Sequence, residues 1–153
     1  DAFKLAKMGG TIDFTCGQFE EKIKELAASL RAAKEAGVPM DKVTISSDGQ
    51  GSWSNYDAEG KLVEIGVSDV DTIYRQIVYM VKEENMDFEE LLALGTKNPA
   101  MALELYPKKG AVKEESDADI LIMNEDLSLD TVIAMGVPMM RDGKILKKGT
   151  YEK

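Results

Sequence analysis

Histidine is absent from all 153 residues, and cysteine occurs once, as Cys16. Zinc is usually held by imidazole, thiolate or carboxylate groups, so neither a His-rich nor a Cys-rich metal cage can be assembled from this chain. A serine nucleophile needs a neighbouring base, and the usual one is missing. A lone cysteine excludes an internal disulfide and reads as a buried thiol. No apolar run approaches the roughly 18 residues of a membrane span, and no charged, apolar and small-residue series marks a secretory signal. The expected compartment is therefore cytoplasmic, with no membrane partner. An excess of basic residues is lacking too: 19 Lys and Arg face 28 Asp and Glu, for a net charge of −9. With the acidic groups dispersed, there is no footprint for a phosphate backbone, and nucleic acid is not an expected partner.

What is present is 44% hydrophobic residues, enough for a packed core, and one telling segment. Val43-Thr44-Ile45-Ser46-Ser47 is an apolar, β-branched run that ends on Asp48 inside Gly49-Gln50-Gly51-Ser52-Trp53. The run fits a buried parallel strand, and the glycines allow a sharp turn and close approach of the backbone. Asp48 then stands at the C-terminal tip of a strand, the edge where catalytic groups collect in α/β enzymes. The plainer alternative is a turn, since Asp and Gly are favoured there for local reasons.

Up to about Tyr106 the pattern alternates strand and helix, and from Gly110 it changes to short strands and turns. Asp1 to Gly10 reads as the end of a helix stopped by glycine, as if the chain were entered partway through a domain. Thr11 to Thr15 is a short strand. Phe19, Ile23, Leu26, Leu30 and Ala33 then recur at helical spacing until Gly37 and Pro39. With Val43 to Ser47 this makes one parallel crossover unit. Asp57-Ala58-Glu59-Gly60 suggests a hairpin turn. Ser68 resembles an N-cap ahead of a stripe of Val70, Ile73, Ile77 and Val81. Asp87 with Glu90 opens another helix that stops near Gly95, and Asn98-Pro99 opens a short one. The tail holds strand candidates at Ile120 to Met123, Leu129 to Met135 and Val137 to Arg141, then the turn Asp142-Gly143 into Lys144-Ile145-Leu146. Asp117 and Asp119 read as turn residues rather than a carboxylate pair, and the nine methionines as core filler.

The strings Gly9-Gly10-Thr11-Ile12-Asp13-Phe14-Thr15 and Ser46-Ser47-Asp48-Gly49-Gln50-Gly51-Ser52 resemble the last part of a β-aspartyl (isoaspartyl) dipeptidase of the amidohydrolase superfamily. Lys97-Asn98-Pro99-Ala100-Met101-Ala102-Leu103, Gly110-Ala111-Val112 and Ser116-Asp117-Ala118-Asp119-Ile120-Leu121 are similar to the end of many amidohydrolases, and Glu115 stands in a turn where those commonly carry glycine. The resemblance implies an α/β fold: residues 1–109 as the C-terminal strands and helices of a (β/α)8 barrel, residues 110–153 as strands of a small β-sandwich. A whole barrel needs about 250 residues, more than this chain supplies. Two zinc ions are implied as cofactor, with a His-x-His pair, a carbamylated lysine and two further histidines all upstream of the matched segment. Asp48 takes the place of the strand-eight aspartate that touches one metal ion and moves the proton. Ser52 takes that of a serine that binds a carboxylate of the β-aspartyl dipeptide substrate. Trp53 and Tyr56 could line the rim of the site or simply pack in the hairpin. Arg31, Arg75 and Arg141 match no substrate position, so bidentate arginine partners are expected upstream.

Three readings follow. The first is the C-terminal portion of a dinuclear zinc β-aspartyl dipeptidase, inactive alone for want of ligands and partnered by the rest of the enzyme. The second keeps the superfamily with a cyclic amide or N-acyl amino acid as substrate. The third is a non-catalytic module that binds a partner through an uncovered face. Open strand edges and apolar faces lead to an expectation of homo-oligomers.

Overall fold

A computed structural model describes residues 1–17 and 19–149. Helix α1 (Ala2–Lys7) ends ahead of Gly9, whose φ of 96° lets the chain turn into strand β1 (Ile12–Thr15). Helix α2 (Glu20–Glu35) follows and stops at a Schellman motif: Gly37, at φ 72°, donates to the Lys34 carbonyl at 2.9 Å while the Val38 N–H reaches Ala33 at 3.0 Å. Glycine at that position meets no Cβ penalty. A single 3₁₀ turn, Met40–Lys42, leads into β2 (Val43–Ser46), parallel to β1 in the register Ile12↔Val43 to Thr15↔Ser46. The expected strand, helix, strand crossover is present.

The register sorts the side chains of this pair into two faces. Ile12, Val43 and Ile45 are buried and Phe14 packs against them, joined by Leu26, Ala27, Leu30 and Ala33 from α2. Asp13, Thr15, Thr44 and Ser46 occupy the opposite, polar face. There the Asp13 carboxylate accepts hydroxyl hydrogen bonds from Thr44 at 2.7 Å and Ser46 at 2.5 Å. Phe19, expected to begin the apolar stripe of α2, lies outside it. Its backbone is extended (φ −110°, ψ 151°), it occupies the N-cap, and it is 45% exposed.

Strands β3 (Ser52–Tyr56) and β4 (Leu62–Val67) form an antiparallel hairpin around the predicted turn. Within it, Asp57 Oδ1 accepts from the N–H groups of Glu59 and Lys61 at 3.1 and 2.8 Å. Helix α3 (Thr72–Lys82) starts later than its sequence suggested, with Asp71 rather than Ser68 before its first turn. The reason is that both backbone groups of Ser68 are already used: its N–H bonds Gly51 at 2.8 Å and its carbonyl accepts from Gln50 at 2.9 Å. Val70 accordingly falls off the helical stripe and is exposed, whereas the buried face of α3 carries Thr72, Gln76, Ile77 and Met80.

Asp87 caps α4 (Phe88–Gly95) through Oδ1, which accepts the Glu90 N–H at 2.8 Å. Helix α5 (Lys97–Ala102) places Pro99 third rather than first. Buried Asn98 explains the shift, because its Nδ2 donates to the Met40 and Val43 carbonyls, each at 2.8 Å, and pins α5 to the start of β2. Helices α4 and α5 both pack on β2.

The tail is a four-stranded antiparallel meander, β5 (Ile120–Met123), β6 (Leu129–Ala134), β7 (Val137–Arg141) and β8 (Lys144–Ile145), paired in chain order. Lys109 anchors its entrance, with Nζ 3.0 Å from Asp117 and in contact with Asp119, whose other oxygen accepts the Met135 N–H at 2.7 Å. Asp117 and Asp119 are therefore structural. Glu115 holds φ 68°, a glycine-like conformation without glycine. Across the chain, the Tyr74 hydroxyl on α3 donates to the Leu127 carbonyl at 3.0 Å. The boundary read between residues 109 and 110 lies between α5 and β5, and the second segment, 110–153, extends past Gly149, the last described residue.

Candidate active site

Asp48 lies two residues beyond the C-terminal end of β2, exposed, with φ 48°. Aspartate tolerates this left-handed conformation better than most side chains. Its carbonyl accepts the Gly51 N–H at 2.8 Å, closing a tight loop. Ser47 Oγ accepts the Gly49 N–H at 3.0 Å inside that loop. The glycines are sterically required here. A Cβ on Gly51 would lie 2.6 Å from Asp48 Oδ1, and one on Gly49 would lie 2.8 Å from Val70 Cγ1. The backbone thus makes room for the aspartate itself. Two hydrogen bonds to Ser68 then fasten the loop to the segment leading into α3.

Ser52 opens β3 directly after this loop, exposed, opposite Val67. The structure brings Asp48 and Ser52 to the same turn at the exit of β2. Trp53 follows, its indole lying over Gly66, where a Cβ would be 2.2 Å from Cζ2, and meeting the Phe19 ring edge to face at 5.0 Å. Tyr56 lies at the far end of the strand, 59% exposed, away from the loop. Arg31 is engaged with Glu84 at 2.8 Å, and Arg75 with Asp71 and Asp69 at 3.0 and 3.2 Å. Cys16, buried at the end of β1, has its thiol pushed up to about 12 by burial and then by the Asp13 carboxylate. It is no nucleophile at neutral pH.

Sequence reasoning passed over two groups. Asp13 entered only as a letter in a motif, yet its carboxylate is the acceptor at the centre of the polar face. Strand alternation with Thr11 and Thr15 is the signal that could have found it. Gln76 lies off the apolar spacing of Val70, Ile73, Ile77 and Val81, so the helix stripe carries no signal for it. Clefts of about 220 Å³ between α2 and α4 and about 190 Å³ beside α5 involve neither Asp48 nor Ser52.

Among the described residues no group of three His, Cys, Asp or Glu side chains could hold a metal ion. Asp48 offers one carboxylate donor, which does not make a metal centre. No helix among the described residues is long and apolar enough to cross a membrane.

A parallel strand pair with helices on one face, a polar opposite face and an aspartate at the strand exit is an α/β arrangement of the barrel kind. Residues 3–146 match the model of the Amidohydrolase family, and the chain belongs to that family, whose members are generally metal-dependent. Among solved structures it is similar to a beta-aspartyl dipeptidase from the thermophilic keratin-degrading Fervidobacterium islandicum AW-1 in complex with beta-Asp-Leu dipeptide. That match has 35% identity and a TM-score of 0.79, and covers 97% of this chain and 38% of that one. A second structure of beta-aspartyl dipeptidase from F. islandicum AW-1 matches at 30% identity and TM-score 0.70, over 97% of this chain and 36% of that one. N-acetylglucosamine-6-phosphate deacetylase from Pasteurella multocida, at 18% identity and TM-score 0.62 over 86% of this chain and 37% of that one, shares the fold. The chain therefore spans less than two fifths of the length of these relatives.

Proposed function

We propose that this chain is the C-terminal portion of a zinc-dependent β-aspartyl dipeptidase, with residues 1–109 completing its barrel and 110–153 belonging to its small sandwich. The observation that carries the reading is the likeness, along 97% of the chain, to a dipeptidase solved with a β-aspartyl dipeptide. The position of Asp48 at the exit of β2 agrees with it. Bound zinc would supply an activated water by lowering its pKa towards ~7. Asp48 would be the ligand this chain contributes, with the remaining donors coming from elsewhere in the enzyme.

In this reading Asp48 accepts the proton of the attacking water as the new C–O bond forms. It then returns that proton to the leaving amine nitrogen as the C–N bond breaks. A group that does both needs reach to water and nitrogen alike, and the glycine-bounded loop leaves its carboxylate unobstructed on the solvent side. Ser52 donates its hydroxyl hydrogen to a carboxylate of the dipeptide, orienting the substrate without attacking it.

The test is a substrate panel on the full-length enzyme containing this chain: β-Asp-Leu, its α-linked isomer, a cyclic amide and an N-acyl amino acid. Hydrolysis of β-Asp-Leu alone is expected, with zinc bound. Preference for the cyclic amide or N-acyl substrate would overturn the dipeptidase reading. The 153-residue chain by itself is expected to hold no stoichiometric zinc and to show no turnover.

A further inference from the structure

Gln76 is a buried side chain on α3 that reaches out of its own helix to the segment following β1. It is 1% exposed, and its Nε2 donates to the Gly17 carbonyl at 2.5 Å. Its Oε1 is buried with no hydrogen-bond partner among the described residues. An orphaned amide oxygen is unfavourable, and methionine would fill the same space without one. The amide orientation is set by Gly17, since turning it over would place oxygen against oxygen.

Gly17 is equally constrained, because a Cβ there would lie 2.0 Å from Lys22 Cβ on the first turn of α2. Two residues further on is Phe19, whose extended backbone turns its ring out to meet Trp53 at 5.0 Å. Trp53 is covalently next to Ser52. Gly17, held by α3, thus lies two positions along the chain from Phe19, whose ring meets the neighbour of Ser52. The segment leading into α3 is tied to the Asp48 loop through Ser68.

We propose that Gln76 is a positioning residue: by holding Gly17 it fixes the Phe19–Trp53 contact and so sets Ser52 relative to Asp48. The proposal rests on the dipeptidase reading for the role of Ser52, but its mechanical part is testable without catalysis. Trp53 is the chain's single tryptophan, so fluorescence reports on the surroundings of this one indole, and Phe19→Ala identifies the part that belongs to the Phe19 contact.

In Gln76→Met, acrylamide quenching of Trp53 should rise by ~2-fold as the contact loosens, with far-UV dichroism unchanged. Phe19→Ala, which breaks the path at a half-exposed ring, should match it, and the double variant should go no further. Unchanged quenching in Gln76→Met overturns the proposal. In the full-length enzyme, Gln76→Met should lower kcat/KM for β-Asp-Leu by about 10-fold, and by under about 2-fold when Ser52 is already alanine. Equal losses in both backgrounds, or no loss, would reduce Gln76 to a packing residue. An enzyme that leaves β-Asp-Leu intact would defeat the dipeptidase reading and leave the quenching result to stand or fall separately.

Discussion

Asp48 combines an exposed carboxylate with a left-handed backbone, and asparagine shares its tolerance for that conformation. Replacement of Asp48 by Asn in the full-length enzyme should therefore leave the fold intact while removing the proton acceptor of the proposed reaction. The loss is expected in kcat, by ~10²–10⁴-fold. On the proposed reading, Ser52→Ala removes one hydrogen bond to a charged group, of about 1.5–3 kcal/mol, so it should reduce kcat/KM for β-aspartyl substrates with zinc content unchanged. Near-normal kcat in the Asn variant with zinc bound would return Asp48 to the status of a turn residue. Cys16 offers a check that needs no substrate. Its folded thiol titrates at about 12 against an ordinary 9.0. Below pH 9.0 the thiol is neutral in both states. Above it the unfolded chain ionises first, so stability falls as pH rises from 9.0 towards about 12. Urea midpoints taken on either side of pH 9.0 should drop more for the wild type than for Cys16→Ala.

At the scale of elements, the tail is held at its entrance by Lys109, Asp117 and Asp119. Lys109 and the Met135 N–H keep the Asp119 carboxyl below its ordinary 3.8. The contribution of this contact is therefore complete above pH 3.8 and lost as pH falls through the lowered value. The protection of the Met135 amide relative to its intrinsic exchange rate should hold down to that point and fall below it, whereas Asp119→Asn should lower it throughout. Elements of this kind were legible wherever the local chemistry decides the structure. The Asp87 cap, the Gly37 stop, the turn at Asp57 and the strands of the tail all depend on residues within a few positions. Illegible elements depended on distant partners. Ser68 could not be seen as the fastening of the Asp48 loop without Gly51, Asn98 could not be seen as a clamp without Val43, and Phe19 left the α2 stripe for a ring on the hairpin. The same holds for the site. The strand tip at Asp48 was readable from the apolar run that precedes it, but the hydroxyl partners of Asp13 and the reach of Gln76 to Gly17 exist only across the fold.

For the molecule as a whole, burial is uneven. The α2, α3 and α4 faces close over β1 and β2, while Val63, Ile65 and Val67 on the hairpin stand about two thirds exposed, and Leu121 and Ile122 on β5 about half. Apolar faces and unpaired strand edges of this extent favour association. The 153-residue chain should therefore run as dimers or larger species in light scattering, and a stable monomer with cooperative unfolding would count against this. The parallel register of β1 with β2 also carries a consequence in time. Among the described residues every other strand pair is closed by a short local turn, and such hairpins form within ~1–10 μs. Pairing Ile12 with Val43 must instead wait until all of α2 has been looped back, and non-local closure is slow. Pulse-labelled exchange during refolding should find the hairpin and tail amides protected first. The Cys16 amide, bonded to the Ser46 carbonyl at 2.7 Å, should follow, so that the platform for Asp48 is among the last parts of the chain to assemble.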